Sequence, residues 1–225
     1  MQQQASTTRA NDVVAGLAQG LRVVFIDNFD SFTFNLVDAF ACRGAEVEVW
    51  RNDISLADLQ QRLERHPGPA LLVLSPGPGT PAASGVCGAA VHLALGRWPV
   101  LGVCLGHQVL IEALGGSVDL APRPMHGRAS AASHTGRGLF AGLPQPMTVG
   151  RYHSLAAVQV PQDLEVCATA EGVVMAVQHR EHPVWGVQFH PESILTPEGG
   201  LLLQNVMRLA IRAQSAGDPC APIQG

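Results

Sequence analysis

The sequence contains no lysine: all 14 basic residues among its 225 are arginines. Without lysine the chain cannot form a Schiff base with a substrate carbonyl. It also cannot supply the lysine of a phosphate-binding P-loop or of the protein kinases. Pyridoxal phosphate enzymes and standard P-loop NTPases are therefore excluded.

Charge of either sign is scarce. Only 14% of the residues are charged and the formal net charge is -4. No run of arginines occurs, so the sequence lacks the basic surface that attracts a nucleic acid backbone. We therefore expect no DNA or RNA partner.

Five cysteines stand at irregular spacing, with no CxxC pair among them. This pattern favours reduced thiols over a disulfide framework or a zinc site, and it predicts a cytoplasmic protein with no bound metal. No apolar run approaches the ~18 residues that span a membrane, and the first residues do not resemble a secretory signal. We therefore expect no membrane association.

Apolar runs alternate with helical patterns through the first half of the chain. The predicted strands are 22–27, 45–50, 70–75 and 99–104, and the predicted helices include 54–65, with Ser55 as its cap, and 86–95. Strand and helix in alternation, with short connections, predict an α/β fold with a mostly parallel central sheet flanked by helices. Ligands of such folds bind at the carboxyl ends of the strands.

After Gly115 the segments become shorter and richer in glycine and proline, which predicts additional, partly antiparallel strands. A helix at 197–214 closes the pattern. We predict one domain over 22–214, an N-terminal extension over 1–21 and a C-terminal tail over 215–225. An Asp/Ser pair in DNFDSFT (27–33) suits capping of a helix that begins near Phe32.

Cys104 is the candidate nucleophile. The segment PVLGVCLGHQ places it between Gly102 and Gly106, where a buried strand gives way to an amphipathic helix. This is a G-x-C-x-G version of the nucleophile elbow, a sharp turn that presents the middle side chain at the edge of the sheet. The helix N-terminus favours a thiolate there and directs the N–H of Leu105 at a developing oxyanion. A small buried cysteine is the alternative interpretation.

His190 and Glu192 are the candidate base and its orienting carboxylate. They follow a predicted strand, 184–189, in the segment VWGVQFHPES. Residues two apart in an extended segment share a face, so Glu192 can hold one ring nitrogen and leave the other free. A surface His-Pro turn is the alternative. A metal site at His179, Glu181 and His182 is disfavoured because no third segment supplies a ligand.

The loop SPGPGTP (75–81) follows the buried strand ALLVL. Gly77 and Gly79, separated by Pro78, leave backbone N–H groups unobstructed, which suits an anion or oxyanion at a strand's carboxyl end. Taken alone, the loop is equally typical of a rigid turn.

SPGPG, GVCLG and FHPE, in this order and each at a strand's end, resemble the class I, triad-type glutamine amidotransferases. The resemblance extends over about residues 22–212. DNFDSFT, MHG (125–127), GLFAGLP (138–144) and RYHSL (151–155) are similar to the amidotransferase subunits of anthranilate synthase and aminodeoxychorismate synthase. The family often has lysine after MHG, where this chain has Arg128.

The resemblance implies L-glutamine as substrate, with Cys104 as nucleophile, His190 as base and Glu192 as orienter. It implies glutamine binding by Gly77, Pro78, Gly79, Gln108, Ser154 and Leu155, and an oxyanion hole formed by the N–H groups of Gly79 and Leu105. It also implies that the partner is a chorismate-binding synthase subunit, with magnesium only in that partner and no cofactor in this chain.

Four alternatives stay open at this stage. The chain could be the glutaminase of another synthetase, or a γ-glutamyl hydrolase of the same fold that acts alone. A regulatory pseudo-enzyme would lack a member of the triad, and none is missing here. The resemblance also leaves open whether anthranilate or aminodeoxychorismate is the product.

Overall fold

The structure, a computed structural model, describes residues 16–65 and 68–215. Strands and helices alternate through the first half as predicted. The elements are β1 (Arg22–Asp27), α1 (Thr33–Ala41), β2 (Glu46–Arg51), α2 (Leu56–Glu64), β3 (Ala70–Leu74), α3 (Cys87–Ala94), β4 (Val100–Val103) and α4 (Leu105–Ala113). Ser55 caps α2 by accepting a hydrogen bond from the N–H of Asp58 at 3.1 Å, which confirms the predicted cap.

Strands dominate the second half. They are β5 (Ser117–Leu120), β6 (Arg128–His134), β7 (Met147–Arg151), β8 (Leu155–Gln159), β9 (Leu164–Ala170), β10 (Val173–His179) and β11 (Val184–Val187), followed by α5 (Gly199–Ser215). Short 3₁₀ turns form at Pro81–Ala83 and Gly138–Phe140.

A nine-stranded sheet runs in the order β2-β1-β3-β4-β11-β10-β9-β6-β7. Its first five strands are parallel and the remaining neighbours pair antiparallel. This confirms the predicted α/β class with additional antiparallel strands. β11 lies beside β4 in parallel, with Val187 opposite Val103, so both strands end at the same level.

Both faces of the parallel strands are covered. Alternate residues of β1 serve two cores: Val23 and Phe25 pack in the one that α1 and α5 cover, and Val24 and Ile26 in the one that α2, α3 and α4 cover. Burial on both faces explains why these strands read as continuous apolar runs in the sequence. It also leaves the strand ends as the accessible edge of the sheet.

Some details differ from the predictions. The N-cap position of α1, Phe32, has no side-chain cap, although the Asp30 carboxylate accepts the Phe32 N–H at 2.6 Å.

The bounds 22–214 for the domain stay a prediction, and Ala18 and Leu21 before them are fully buried in the structure. Within residues 16–65 and 68–215, no helix combines the length and the hydropathy needed to cross a membrane.

Candidate active site

Cys104 lies at the N-cap of α4 in a conformation that side chains rarely adopt, with φ +52° and ψ −101°. Its N–H donates to the carbonyl of Val187 at 2.8 Å, so the hydrogen bonding between β4 and β11 continues into the turn. A positive φ at a non-glycine residue costs about 1–3 kcal/mol, and such strain concentrates at functional sites. The backbone geometry is that of a nucleophile elbow.

The two glycines that flank Cys104 are required by close packing. A Cβ at Gly102 would lie 2.4 Å from the carbonyl oxygen of Gly106, and a Cβ at Gly106 would lie 2.2 Å from that of Leu74. Neither distance leaves room for a methyl group. The G-x-C-x-G pattern therefore lets α4 start directly against β3 and β4.

His190 and Glu192 form a buried pair at the end of the segment that follows β11. Nδ1 of His190 and Oε1 of Glu192 are 2.6 Å apart. The predicted contact is present, but its local geometry differs from the prediction. The strand ends at Val187 instead of Phe189, and the N–H of Ser193 donates to the carbonyl of His190 at 3.2 Å, so a turn brings the two side chains together.

The surroundings of His190 favour its protonated form. Burial opposes the charge, but the nearby Cys104 and Glu192 raise the pKa of His190 from its ordinary 6.5 to about 10. Its second ring nitrogen, Nε2, is buried and makes no hydrogen bond within the described part of the chain. The imidazole is therefore held by Glu192 through one nitrogen and is free to exchange a proton through the other.

Two aromatic rings pack against the imidazole of His190. The ring centroid of Phe32 lies 5.5 Å from that of His190, and the ring of Tyr152 lies 5.1 Å away, both in edge-on arrangements. The Tyr152 hydroxyl is 3.2 Å from Oγ of Ser193. Packing of this kind restricts rotation of the imidazole about its side-chain bonds and excludes water from it.

The loop 75–81 lies against the start of α4. A Cβ at Gly77 would lie 2.9 Å from Cδ2 of Leu105 and 2.4 Å from Cβ of Asn28, so only glycine fits there. Ser75 anchors the loop by accepting the N–H of Asn28 at 2.8 Å. Pro78 and Gly79 are exposed beyond this anchor, and Gly79 has φ +87°.

Gln108 connects α4 to β8. Its Nε2 donates to the carbonyl of Leu155 at 3.1 Å and to Oε1 of Gln188 at the same distance. Ser154 is exposed, and its carbonyl accepts the N–H of Ala121 at 2.8 Å. The structure thus gathers Cys104, Gln108 and Leu155 around one network, whereas no side-chain hydrogen bond among the described residues joins Pro78, Gly79 or Ser154 to it.

Three residues of the site were not predicted from the sequence: Gln188, Arg151 and His153. Gln188 is fully buried, and its Nε2 is 3.7 Å from Sγ of Cys104. Nε of Arg151 donates to Nε2 of His153 at 3.2 Å, and Nδ1 of His153 is 2.8 Å from the carbonyl of Leu155. Burial lowers the pKa of His153 to about 4, so the ring is neutral. These residues stand in the RYHSL and VQFH segments, but their spacing alone does not single them out.

His179 and His134 have structural environments outside this site. Nδ1 of His179 accepts the N–H groups of Glu181 and His182, each at 3.1 Å, which is a capping role. His134 is buried, its ring stacks on that of Phe140 with the centroids 4.7 Å apart, and its Nδ1 accepts the N–H of Gly136 at 3.0 Å. Residues 16–65 and 68–215 contain no cluster of metal-ligating side chains, and Cys42, Cys87, Cys104 and Cys167 are free thiols.

A cysteine at a nucleophile elbow, beside a buried His–Glu pair on an α/β sheet, is the arrangement of thiol-dependent acyl-transfer enzymes. The comparison with known families narrows this class. Residues 24–209 match the family described as glutamine amidotransferase class-I, and the chain belongs to this family.

Two relatives and one solved structure illustrate the similarity. Over 194 residues the chain is 42% identical to anthranilate synthase component 2 of Vibrio parahaemolyticus serotype O3:K6 (strain RIMD 2210633), covering 86% of this chain and 98% of that protein. Over 189 residues it is 47% identical to aminodeoxychorismate synthase component 2 of Klebsiella aerogenes, and this match covers 82% of this chain and 98% of that protein. A glutamine amidotransferase from Thermotoga maritima, 17% identical over 85% of this chain and 99% of that one, has the same fold, with a TM-score of 0.68.

Proposed function

We propose that the chain hydrolyses the side-chain amide of L-glutamine to glutamate and ammonia through a γ-glutamyl thioester on Cys104. The observation that carries this proposal is the 2.6 Å contact between His190 and Glu192, buried beside a cysteine whose backbone has the strained geometry of an elbow. Family membership supports the same reaction.

Sγ of Cys104 attacks the amide carbon, and His190 takes the thiol proton. The N–H groups of Leu105 and Gly79 bind the oxyanion of the tetrahedral intermediate, which collapses as His190 gives its proton to the leaving ammonia. Water then attacks the thioester with His190 as base, and glutamate and the thiol are released. Glu192 keeps the imidazole in the tautomer that these steps need.

Glutamine binds between the loop that contains Gly77, Pro78 and Gly79 and the segment that contains Ser154 and Leu155. The position of Gln108 between Cys104 and the Leu155 carbonyl supports this placement. The exposure of Gly79 supports its role as an oxyanion donor, because a Cβ at this position would meet nothing within 4 Å and the positive φ turns the loop.

The ammonia passes to a chorismate-binding synthase subunit that assembles with this chain. The component 2 names of the relatives support a two-part enzyme. The residues proposed for the glutaminase reaction need no cofactor, and magnesium belongs to the partner's reaction. A cytoplasmic location accords with the free cysteines.

Two products are candidates because relatives of both names match over most of the chain: anthranilate and 4-amino-4-deoxychorismate. Copurification of the synthase subunit, followed by product analysis with chorismate and glutamine, distinguishes them, since the derived aminobenzoates differ in ring position. A glutaminase of another synthetase would copurify with a different acceptor enzyme. A γ-glutamyl hydrolase would act at full rate without a partner.

Cys104→Ala is the direct test of the nucleophile. We expect it to abolish glutamate formation by the purified complex, whereas Cys42→Ala, which changes an exposed thiol, retains it. Hydrolysis of glutamine at the normal rate by Cys104→Ala would overturn the proposal.

A further inference from the structure

Gln188 contacts the sulfur of Cys104 and has no place in the mechanism above. Its side chain is fully buried, and its backbone N–H donates to the carbonyl of Met175 at 2.8 Å, which fixes the segment. Nε2 lies 3.7 Å from Sγ of Cys104, a hydrogen-bonding distance for sulfur. A fully buried amide beside a reactive thiol requires an explanation.

The direction of the hydrogen bonds follows from a backbone carbonyl. The oxygen of Leu155 can only accept, so the side-chain amide of Gln108 must present its NH₂ group there. The same NH₂ group donates to Oε1 of Gln188. The amide of Gln188 must therefore turn its own NH₂ group towards Cys104, so this NH₂ group donates a hydrogen bond to the sulfur.

His153 secures the start of this chain of bonds. Nε of Arg151 can only donate, so Nε2 of His153 accepts and Nδ1 carries the proton that reaches the Leu155 carbonyl. The carbonyl is thereby held by two donors, one from His153 and one from Gln108. The direction of every hydrogen bond from Arg151 to Cys104 is then determined.

A donor at sulfur favours the thiolate over the thiol, because a hydrogen bond to a charged acceptor is stronger than one to a neutral acceptor. Cys104 therefore has two groups that favour its charged form: the imidazolium of His190, whose pKa is raised, and the amide of Gln188. The amide acts without exchanging a proton, so its effect persists while His190 changes charge during the reaction.

We propose that Gln188 is a further catalytic residue, which donates to Sγ of Cys104 and stabilises its thiolate, and that Gln108 positions it. This inference rests on the proposed function, since it assumes that Cys104 is the nucleophile. It also gives Gln108 a second task beside glutamine binding. A glutamine substrate that contacts Gln108 would then influence the thiolate of Cys104 through the side chain of Gln188, which Gln108 positions.

The test is the pH dependence of Cys104 alkylation by iodoacetamide, measured on the full chain without glutamine. Cleavage after arginine leaves Cys104 on a peptide with no other cysteine, because none lies between Arg97 and Arg128, so mass spectrometry measures this thiol alone. The variant is Gln188→Met, which keeps the volume and removes the donor. Gln178→Met, whose amide bonds Glu165 at 3.2 Å away from the network, is the matched control.

We expect Gln188→Met to move the midpoint of the alkylation profile up by about one pH unit, in proportion to one lost bond to a charged acceptor. Gln188→Glu, which places a carboxylate at the sulfur, should move it further in the same direction. Gln108→Met should produce a smaller upward shift because Gln188 loses its orientation. The control profile should match that of the unchanged protein.

An unchanged midpoint in folded Gln188→Met or Gln188→Glu would overturn the inference and leave the proposed glutaminase intact. Loss of glutamine hydrolysis in Cys104→Ala tests that function separately. If Gln188→Met does not fold, the Gln108→Met profile decides, and an unshifted midpoint there overturns the inference as well.

Discussion

His190 and Glu192 hold each other in a contact of 2.6 Å, and their side chains are only 2% and 1% exposed. The carboxylate has no second hydrogen-bond partner in the described residues, since its Oε2 is buried and unpaired. In the part of the chain that the structure describes, the carboxylate of Glu192 therefore hydrogen-bonds to the imidazole of His190 alone, so a substitution of Glu192 tests its effect on that imidazole.

Glu192→Gln keeps the size of the side chain and removes its charge. The pKa of His190 should fall from its raised value, because a carboxylate that favours the imidazolium is lost. We expect glutamine hydrolysis to slow by ~10²–10⁴-fold, the usual worth of a positioned base. Glutamate formation measures it, with the exposed Glu181→Gln as control. A rate within twofold of the original would contradict the role of Glu192.

Gly106→Ala should damage both fold and site. The new methyl group would lie 2.2 Å from the carbonyl oxygen of Leu74, so α4 must shift away from β3. We expect a loss of about 1–3 kcal/mol in the free energy of unfolding, with lowered activity. Gly88→Ala is the matched control, because a Cβ there meets nothing within 4 Å. Denaturant titration of both variants checks the contrast, and equal stabilities would show that the close approach has no cost.

His107 should make the protein sensitive to acid. It is fully buried against Gly186, and burial lowers the pKa of its imidazole to about 3. Because the folded pKa lies below the unfolded 6.5, the unfolded chain binds the extra proton between these values. Its contribution to stability is complete above pH 6.5 and is lost as the pH falls towards 3.

His107→Met should therefore flatten the dependence of unfolding free energy on pH between about 6 and 4 by ~1.4 kcal/mol per pH unit, the effect of one proton. Urea titrations at several pH values measure the slope. The exposed His92→Gln should leave it unchanged. A His107→Met slope equal to that of the original protein would mean that His107 is not buried as a neutral ring.

Arg151→Met should weaken glutamine binding more than it slows catalysis. Arg151 is almost fully buried, and its loss removes the hydrogen bond that fixes the ring of His153, so the Leu155 carbonyl is held less firmly. We expect KM for glutamine to rise about tenfold, the equivalent of one hydrogen bond, with a smaller change in kcat. Steady-state kinetics of this variant and of Arg180→Met, an exposed arginine, test it. A change confined to kcat would count against this role.

Much of the fold could be predicted because its signals are local. The continuous apolar runs of β1, β3 and β4 follow from burial on both faces, and the cap at Ser55 needs only three consecutive neighbours. The elbow was recognisable because Gly102 and Gly106 flank Cys104 within one turn. The strand end at Val187 was missed, since the alternation of apolar and polar residues continues through Gln188 to Phe189 after the ladder stops.

The sequence by itself determined the α/β alternation, the glycines around Cys104 and the pairing of His190 with Glu192, because each of these depends on residues close together in the chain. Only the tertiary structure decided that β11 lies next to β4, which brings Gln188 against Cys104 across 84 positions. No periodicity in the chain specifies such a pairing, since it is selected by the burial of whole strands between two layers of helices. The same packing placed Phe32 and Tyr152 against His190 and joined Arg151, through His153, to the carbonyl that orients the network.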